Sequence, residues 1–354
     1  MDHFWWNNKK VLVTGHTGFK GSWLCLLLKS MNAKVFGYSL ETIEDLSHYN
    51  ISGISKKMDG EAFGDILDTN KLQNCINKFL PEIVIHCAAQ PLVIDAYKNP
   101  VYTFNTNVSG TVNLIYCCKD ISSLKSLIIV TSDKVYLPQK TNRHFLETDR
   151  LGGHDPYSAS KASCEIAALS TFNSFYENNN IGFATVRAGN VYGGGDWANN
   201  RLIPDICRSI SKRHSIKIRN PESIRPWQYV LDPLYGYLKI AYVTSTSINK
   251  SKYNGSYNFG PKYDELDLTV LDIVKIAIKK WGSGSWEVIN QTEKIHETKL
   301  LSINSEKSQK MLNWKPKINI EQGLDITLDW YKNFKLGKNM TEVSDEYVSN
   351  FLNN

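Results

Sequence analysis

No Cys-x-x-Cys pair occurs in this 354-residue chain, although it holds seven cysteines: Cys25, Cys75, Cys87, Cys117, Cys118, Cys164 and Cys207. An odd count without paired spacing suggests neither a disulfide framework nor a zinc site, and it fits a reducing compartment. Several of these thiols sit in apolar runs, as small buried hydrophobes do. Long apolar runs are also missing. The stretch 23–28 is far too short to span a bilayer. At the N-terminus, Lys9 and Lys10 precede only three apolar residues before Thr14 and Gly15, which is not a signal-peptide pattern. A cytoplasmic protein without membrane contact is the expectation. Dense Lys/Arg runs are absent, so nucleic-acid binding is not expected. The formal net charge of +6 then reads as a mildly basic surface or as a site for an anionic ligand. No internal repeat or low-complexity tract is evident.

What is present is an ordinary globular composition, 42% hydrophobic and 21% charged, in a chain longer than one average domain. The first half alternates two patterns. Short apolar runs at 11–13, 35–38, 83–85, 127–130 and 182–186 read as strands. Segments 20–31, 106–118 and 157–176 read as helices. Such alternation predicts an α/β fold, a doubly wound parallel sheet covered by helices on both faces. From about Gly189 the chain is richer in Gly, Pro, Asn and aromatic residues, with helices at 202–211 and 270–281. That half predicts a smaller mixed α/β lobe, giving a division near 1–188 and 189–354. The polar tail after Leu336 is expected to lie on the surface or fray.

The run Val11-Leu12-Val13-Thr14 leads into Gly15-His16-Thr17-Gly18-Phe19-Lys20-Gly21. Glycines spaced G-x-x-G-x-x-G let a chain turn sharply off a strand, and they let its backbone approach a pyrophosphate with no Cβ in the way. The following helix then points its N-terminal N–H groups at the anion. A strand before and a helix after is the context this motif needs. Glu41, near the end of the second strand, is placed to meet the ribose hydroxyls of NAD or to be a solvated loop residue. No arginine follows closely to grip a 2′-phosphate, so NAD is favoured over NADP.

Tyr157 and Lys161 form Y-x-x-x-K, one helical turn apart on one face. An ammonium there favours a phenolate and would draw the phenol toward neutral pH. Alone, the pair is as readily an interfacial tyrosine beside a surface lysine. Its position changes that. It opens a helix after a strand ending in Thr131-Ser132, and the carboxyl ends of parallel strands are where such sheets bind ligands.

These residues resemble the extended short-chain dehydrogenase/reductase family, whose fold is Rossmann-type. The resemblance runs from the glycine turn to about Trp330. Within the family it points to the CDP-glucose 4,6-dehydratase branch. The supporting segments are GHTGFKGSW (15–23), GDILD (64–68), HCAAQPLV (86–93), TNVSGT (106–111), TSDKVY (131–136), DPYSASK (155–161), VRAGNVYGGGDWANNRLIPD (186–205) and IRPWQYV (224–230). TSDKVY, GGGDWA and RPWQ are the segments more specific to that branch.

The resemblance implies NAD as cofactor, held by Gly15, Thr17, Gly18, Phe19 and Gly21 at the pyrophosphate and by Asp65 and Ile66 at the adenine. It adds Ala88, Ala89, Gln90, Asn107 and Thr131 along the groove, and Tyr157 and Lys161 at the reacting end. It implies a nucleotide-sugar substrate, CDP-glucose in this branch, contacted by Gln90, Asn190, Arg201, Leu202 and Arg225. The two arginines would suit phosphate oxygens; the other reading makes them surface ion pairs. It implies a homodimer or homotetramer.

Catalysis would fall to Ser132, Asp133, Lys134, Tyr157 and Lys161. Tyr157 would remove the C4 hydroxyl proton with help from Ser132 and Lys161. Lys134 would take the C5 proton or help a water or a neighbour to do so, and a protonated Asp133 would donate to the leaving C6 hydroxyl. Asp133 and Lys134 could instead form a loop-shaping ion pair. A 4-epimerase, a dehydratase of another nucleotide sugar and a non-catalytic dinucleotide sensor are the competing functions.

Overall fold

In the computed structural model, which describes residues 1–42, 45–138, 143–176, 180–262, 265, 267–289 and 301–354, the five apolar runs become the centre of one sheet. The strands in chain order are β1 (Lys10–Thr14), β2 (Lys34–Ser39), β3 (Gly60–Phe63), β4 (Ile83–His86), β5 (Ser126–Val130), β6 (Gly182–Ala188), β7 (Asn190–Tyr192), β8 (Ile216–Ile218), β9 (Trp227–Tyr229), β10 (Gly255–Phe259) and β11 (Trp286–Val288). Seven of them pair in the order β10-β6-β5-β4-β1-β2-β3, every neighbour parallel. The sheet is doubly wound, as expected.

Helices cover both faces, so the inner strands β4, β5 and β6 are buried along their whole length. The pleat still sorts their side chains. Val11, Val13, Ile83, Ile85, Ile128 and Val130 enter one core with the helices Phe19–Ser30 and Leu231–Thr246. Leu12, Val84, Leu127 and Ile129 enter the other, with Thr69–Phe79, Gly110–Cys117 and Pro156–Tyr176.

Two strands escaped the apolar pattern. β3 reads Gly-Glu-Ala-Phe and β10 reads Gly-Ser-Tyr-Asn-Phe; each sits at an edge of the sheet, where less apolar burial is needed. β10 belongs to the second half of the chain and returns to pair with β6. The second half also forms two small parallel pairs, β7 with β9 and β8 with β11. Its helices Leu202–Ser211 and Val270–Trp281 have the expected bounds.

One expectation is refined and one corrected. The helix expected over 106–118 is present and opens with a π turn, Asn105–Ser109, that runs directly into Gly110–Cys117. Gly110 packs against Ile66 so closely that a Cβ would stand 2.4 Å from a methyl carbon. The tail is not a frayed surface segment. Met340–Asn353 is a helix that buries Met340, Val343, Val348 and Phe351, and Trp330 Nε1 donates to Ser344 Oγ at 3.0 Å. The apolar positions recur at helical spacing, and a polar composition concealed that stripe. Among the described residues, no helix is long and apolar enough to cross a membrane, and no group of side chains is arranged to hold a metal ion.

Candidate active site

The chain leaves β1 toward β2 on one side and comes back to β4 on the other, so the loops after β1 and β4 part and open a crevice at the strands' carboxyl ends. A cleft of about 1480 Å³ runs from there. Gly15 turns the chain off β1 at φ +72°, and a Cβ on it would lie 2.6 Å from Ala88 N. A Cβ on Gly21 would lie 2.1 Å from Gly15 O. Gly18 is the N-cap of Phe19–Ser30, and no side chain caps that helix. Its first N–H groups therefore face the cleft, as a pyrophosphate requires.

Most residues expected at a cofactor line this cleft: Thr17, Phe19, Asp65, Ile66, Ala88, Ala89 and Thr131, with Glu41 just past β2. Thr17 Oγ1 pairs with Ser39 Oγ at 2.8 Å, which ties the glycine turn to the end of β2. Thr131 faces two ways. Its backbone borders the cleft, while its hydroxyl donates to Glu165 Oε1 at 2.5 Å beneath it.

Gln90 and Asn107 take other tasks. The Gln90 amide donates to Leu92 O in its own loop and to Thr103 Oγ1 on the helix Pro100–Phe104, each at 3.1 Å. Asn107 accepts from Gln90 N at 2.8 Å and donates to Ser160 Oγ at 2.8 Å. Together they brace the loop after β4 against the helix that carries Tyr157 and Lys161. The Gln90 side chain here supports the cleft wall and is not among the residues that line it.

The expected catalytic side chains meet where β5 ends. Ser132 caps the short turn Asp133–Val135 by accepting from Lys134 N at 3.2 Å, and its hydroxyl donates to Asp133 Oδ1 at 2.9 Å. Asp133 is 2% exposed and its Oδ2 is buried without a partner. Burial raises its carboxyl above the usual range, against the opposing pull of Lys134, Ser132, Lys20 and Arg225. Lys134 holds its ammonium 5.9 Å from the Tyr157 ring centre.

Tyr157 and Lys161 are both buried, one turn apart on Pro156–Tyr176. Burial pushes the Tyr157 phenol up to about 12, with the Ser132 hydrogen bond the first opposing effect. Lys161 Nζ donates to Val130 O at 3.3 Å, and burial lowers its pKa. The expectation that Lys161 brings the phenol toward neutrality is corrected for the protein alone. Desolvation favours the uncharged form of both groups, so the phenol keeps its proton until charge arrives from a ligand.

Asn190, Arg201, Leu202 and Arg225 line the cleft's other wall. Arg201 pairs with Asp196 at 2.9 Å with its side chain 34% exposed, and Arg225 Nη1 donates to Ile224 O at 2.8 Å.

Two features had gone unread. Glu165 and Arg187, each 2% exposed, form a buried ion pair under Thr131 with Nε–Oε1 at 2.8 Å, and Arg187 Nη1 donates to Tyr136 OH at 2.7 Å. The partners are 22 residues apart, on a helix and a strand, so no spacing rule joins them. Lys20 lines the cleft from the first turn of Phe19–Ser30, where the helix dipole disfavours a cation. That misfit was visible in the turn itself.

The family model for GDP-mannose 4,6 dehydratase matches residues 12–327. A CDP-glucose 4,6-dehydratase of Salmonella typhimurium is 41% identical, over 99% of this chain and 98% of that protein. A dTDP-glucose 4,6-dehydratase of Shigella flexneri is 24% identical, over 91% of this chain and 92% of its own length. Among solved structures, a dTDP-glucose 4,6-dehydratase of Bacillus anthracis in complex with NAD superposes with a TM-score of 0.77 at 23% identity, covering 93% of this chain and 98% of that one. A UDP-glucose 4-epimerase of Thermotoga maritima superposes with a TM-score of 0.78 at 21% identity, covering 92% and 99%. At that identity the two structures report the fold, whereas the family model spans most of the sequence. The chain belongs to the GDP-mannose 4,6-dehydratase family.

Proposed function

We propose that the chain is an NAD-dependent CDP-glucose 4,6-dehydratase, converting CDP-glucose to CDP-4-keto-6-deoxyglucose and water. The observation that carries the dehydratase reading is Asp133. A buried carboxyl with one orphaned oxygen and a raised pKa is a proton donor beside Tyr157, and an epimerase has no step that needs one. The Salmonella relative supports cytidine as the base.

The residues present fit the cofactor. The close packing of Gly15 on Ala88 and of Gly21 on Gly15 holds the tight turn a pyrophosphate loop needs, and the uncapped helix start offers donors to it. Glu41 on the cleft wall after β2 suits an unphosphorylated ribose. NAD supplies the acceptor for the C4 hydride and the donor that restores one at C6. Tyr157 takes the proton from the C4 hydroxyl, held in line by the Ser132 hydroxyl. Lys161 stands one turn behind it. Lys134 takes the proton at C5, made acidic by the C4 ketone, and gives a proton back to C5 when hydride is restored at C6. Asp133 gives its proton to the departing C6 hydroxyl, which leaves as water. Asn190, Arg201, Leu202 and Arg225 orient the nucleotide diphosphate, the guanidinium groups acting on phosphate oxygens.

The test is incubation of the purified protein and NAD with CDP-glucose, and separately with UDP-, dTDP- and GDP-glucose, followed by mass spectrometry. A product lighter by one water from CDP-glucose alone is expected. Water loss from a different sugar nucleotide would replace the cytidine assignment, and conversion without loss of mass would replace the dehydratase.

A further inference from the structure

The segment 131–136 carries Ser132, Asp133 and Lys134 between two anchors that differ in kind. The front end belongs to the sheet. Thr131 N donates to Val186 O at 2.9 Å, and Thr131 Oγ1 donates to Glu165 Oε1. At the far end, Val135 O accepts from Gly152 N at 2.8 Å and Leu137 N donates to Arg150 O at 2.9 Å, which ties backbone to the loop before the helix of Tyr157. The polar tie from the far end to the sheet is made by Tyr136, which is 3% exposed. Its hydroxyl accepts from Arg187 Nη1 on β6 at 2.7 Å and donates to Asn258 Oδ1 on β10 at 2.6 Å. Its ring stacks on Phe145 with centres 4.7 Å apart, and the Arg187 guanidinium lies 4.8 Å from the ring centre. Asn258 extends the tie, since its Nδ2 donates to Phe145 O at 3.0 Å and to Asn304 O at 3.1 Å. Both ends of the segment therefore rest on one ion pair, Thr131 on Glu165 and Tyr136 on Arg187. Apolar residues often serve stability as well as a buried ion pair does. What this pair adds is direction, because each partner is held at a fixed place.

Resting on the dehydratase reading above, we infer that Tyr136 is a positioning residue for the water-loss step: its hydroxyl, fixed between Arg187 and Asn258, sets where Asp133 and Lys134 stand relative to Tyr157. The reasoning is mechanical. Ser132 adjoins the front anchor, and Tyr157 and Lys161 stand on a separate helix. Asp133 and Lys134 lie between the anchors, so loss of the far one frees them first and leaves the groups of C4 oxidation in place. Proton transfer depends steeply on position, and a shift of about 1 Å costs up to about 10²-fold in rate. Tyr136 gives its hydrogen to Asn258 and transfers no proton to the sugar.

The experiment mixes the NAD-loaded enzyme with CDP-glucose and follows bound NADH by rapid-mixing absorbance and water loss by mass spectrometry of quenched samples. It compares wild type, Tyr136→Phe, Asn258→Ser and Thr185→Val. Tyr136→Phe keeps the ring and deletes the hydroxyl. Asn258→Ser breaks the same tie from the other side. Thr185 is the control, buried in the same network away from the turn, where its hydroxyl donates to Ser256 Oγ at 2.9 Å and Ser256 Oγ reaches Glu165 Oε2 at 3.4 Å. In Tyr136→Phe and Asn258→Ser, NADH is expected to appear at the wild-type rate while water loss falls about 10–10²-fold, so bound NADH builds up beyond the wild-type level. Thr185→Val is expected to lower Tm without that build-up. Equal loss of oxidation and water loss in Tyr136→Phe overturns the inference, and so does unchanged water loss. A build-up in Thr185→Val as large as in Tyr136→Phe, or failure of both Tyr136→Phe and Asn258→Ser to fold, makes the network a determinant of the fold alone and also overturns it. Wild-type protein that removes water from no nucleoside-diphosphate glucose overturns the dehydratase reading itself, and is recognised without any variant.

Discussion

Ser132 donates its hydroxyl hydrogen to Asp133 Oδ1 at 2.9 Å and so leaves Oδ2 of that carboxyl buried and unpaired. One oxygen is satisfied and the other is the one proposed to serve the substrate. Asp133→Asn keeps the shape and the bond from Ser132 but has no proton to give. We expect the variant, and more strongly the double variant with Lys134→Ala, to retain C4 oxidation while water loss falls about 10²–10⁴-fold. Transient NADH absorbance at the first step, followed by mass spectrometry of the product, separates the two stages. Full dehydration by the double variant would remove both residues from the mechanism.

Tyr157→Phe removes the hydroxyl proposed to take the C4 proton. Oxidation should fall by about 10²–10⁴-fold, with the fold and NAD affinity retained, since the ring stays buried. No NADH should accumulate on mixing with substrate. Rapid-mixing absorbance and a titration with NAD check both halves.

Gly15→Ala sets a Cβ 2.6 Å from Ala88 N at a backbone φ of +72°. The left-handed backbone alone costs about 1–2 kcal/mol in a non-glycine residue. Because the clash is with backbone, the turn must shift. Loss of NAD binding, measured by calorimetry, is expected together with a lower Tm.

His48 and His86 are 1% and 2% exposed, and burial holds each pKa near about 3 against 6.5 in the unfolded chain. The unfolded chain therefore binds more protons below 6.5. Their neutral burial is fully tolerated above that pH, and stability falls as pH drops through the window toward 3, by about 1.4 kcal/mol per unit for each histidine. His48 stacks on Trp23 with ring centres 4.0 Å apart. His48→Phe keeps a ring there and should flatten the fall of Tm between pH 6 and ~4.5. An unchanged slope would show that other groups set the acid limit.

Phe351 is 2% exposed on the last helix. Phe351→Ala should cost about 3–5 kcal/mol by denaturant unfolding if that helix is part of the core. A frayed tail would lose almost nothing.

Much of this was legible in local pattern. The five apolar runs predicted the central strands because a strand buried on both faces must be apolar throughout. The glycine turn was readable because backbone conformation and close approach both demand glycine, and Tyr157 and Lys161 because helical pitch alone sets them on one face. β3, β10 and the last helix were not readable, since edge positions and half-buried stripes tolerate polar residues that local pattern counts as loop.

Tertiary structure decided what depends on partners distant in the chain. Only packing shows that Gln90 props a loop, that Thr131 turns its hydroxyl to Glu165, and that Glu165 meets Arg187. Only burial reveals that the phenol of Tyr157 and the carboxyl of Asp133 are both pushed toward their protonated forms in the free protein. The sequence by itself determined which chemical groups this protein owns and the order of its central strands and helices. The fold determined which of those groups face the cleft and how strongly each is held from water. Desolvation and long-range pairing set those properties, and neither is written in the spacing of neighbouring residues.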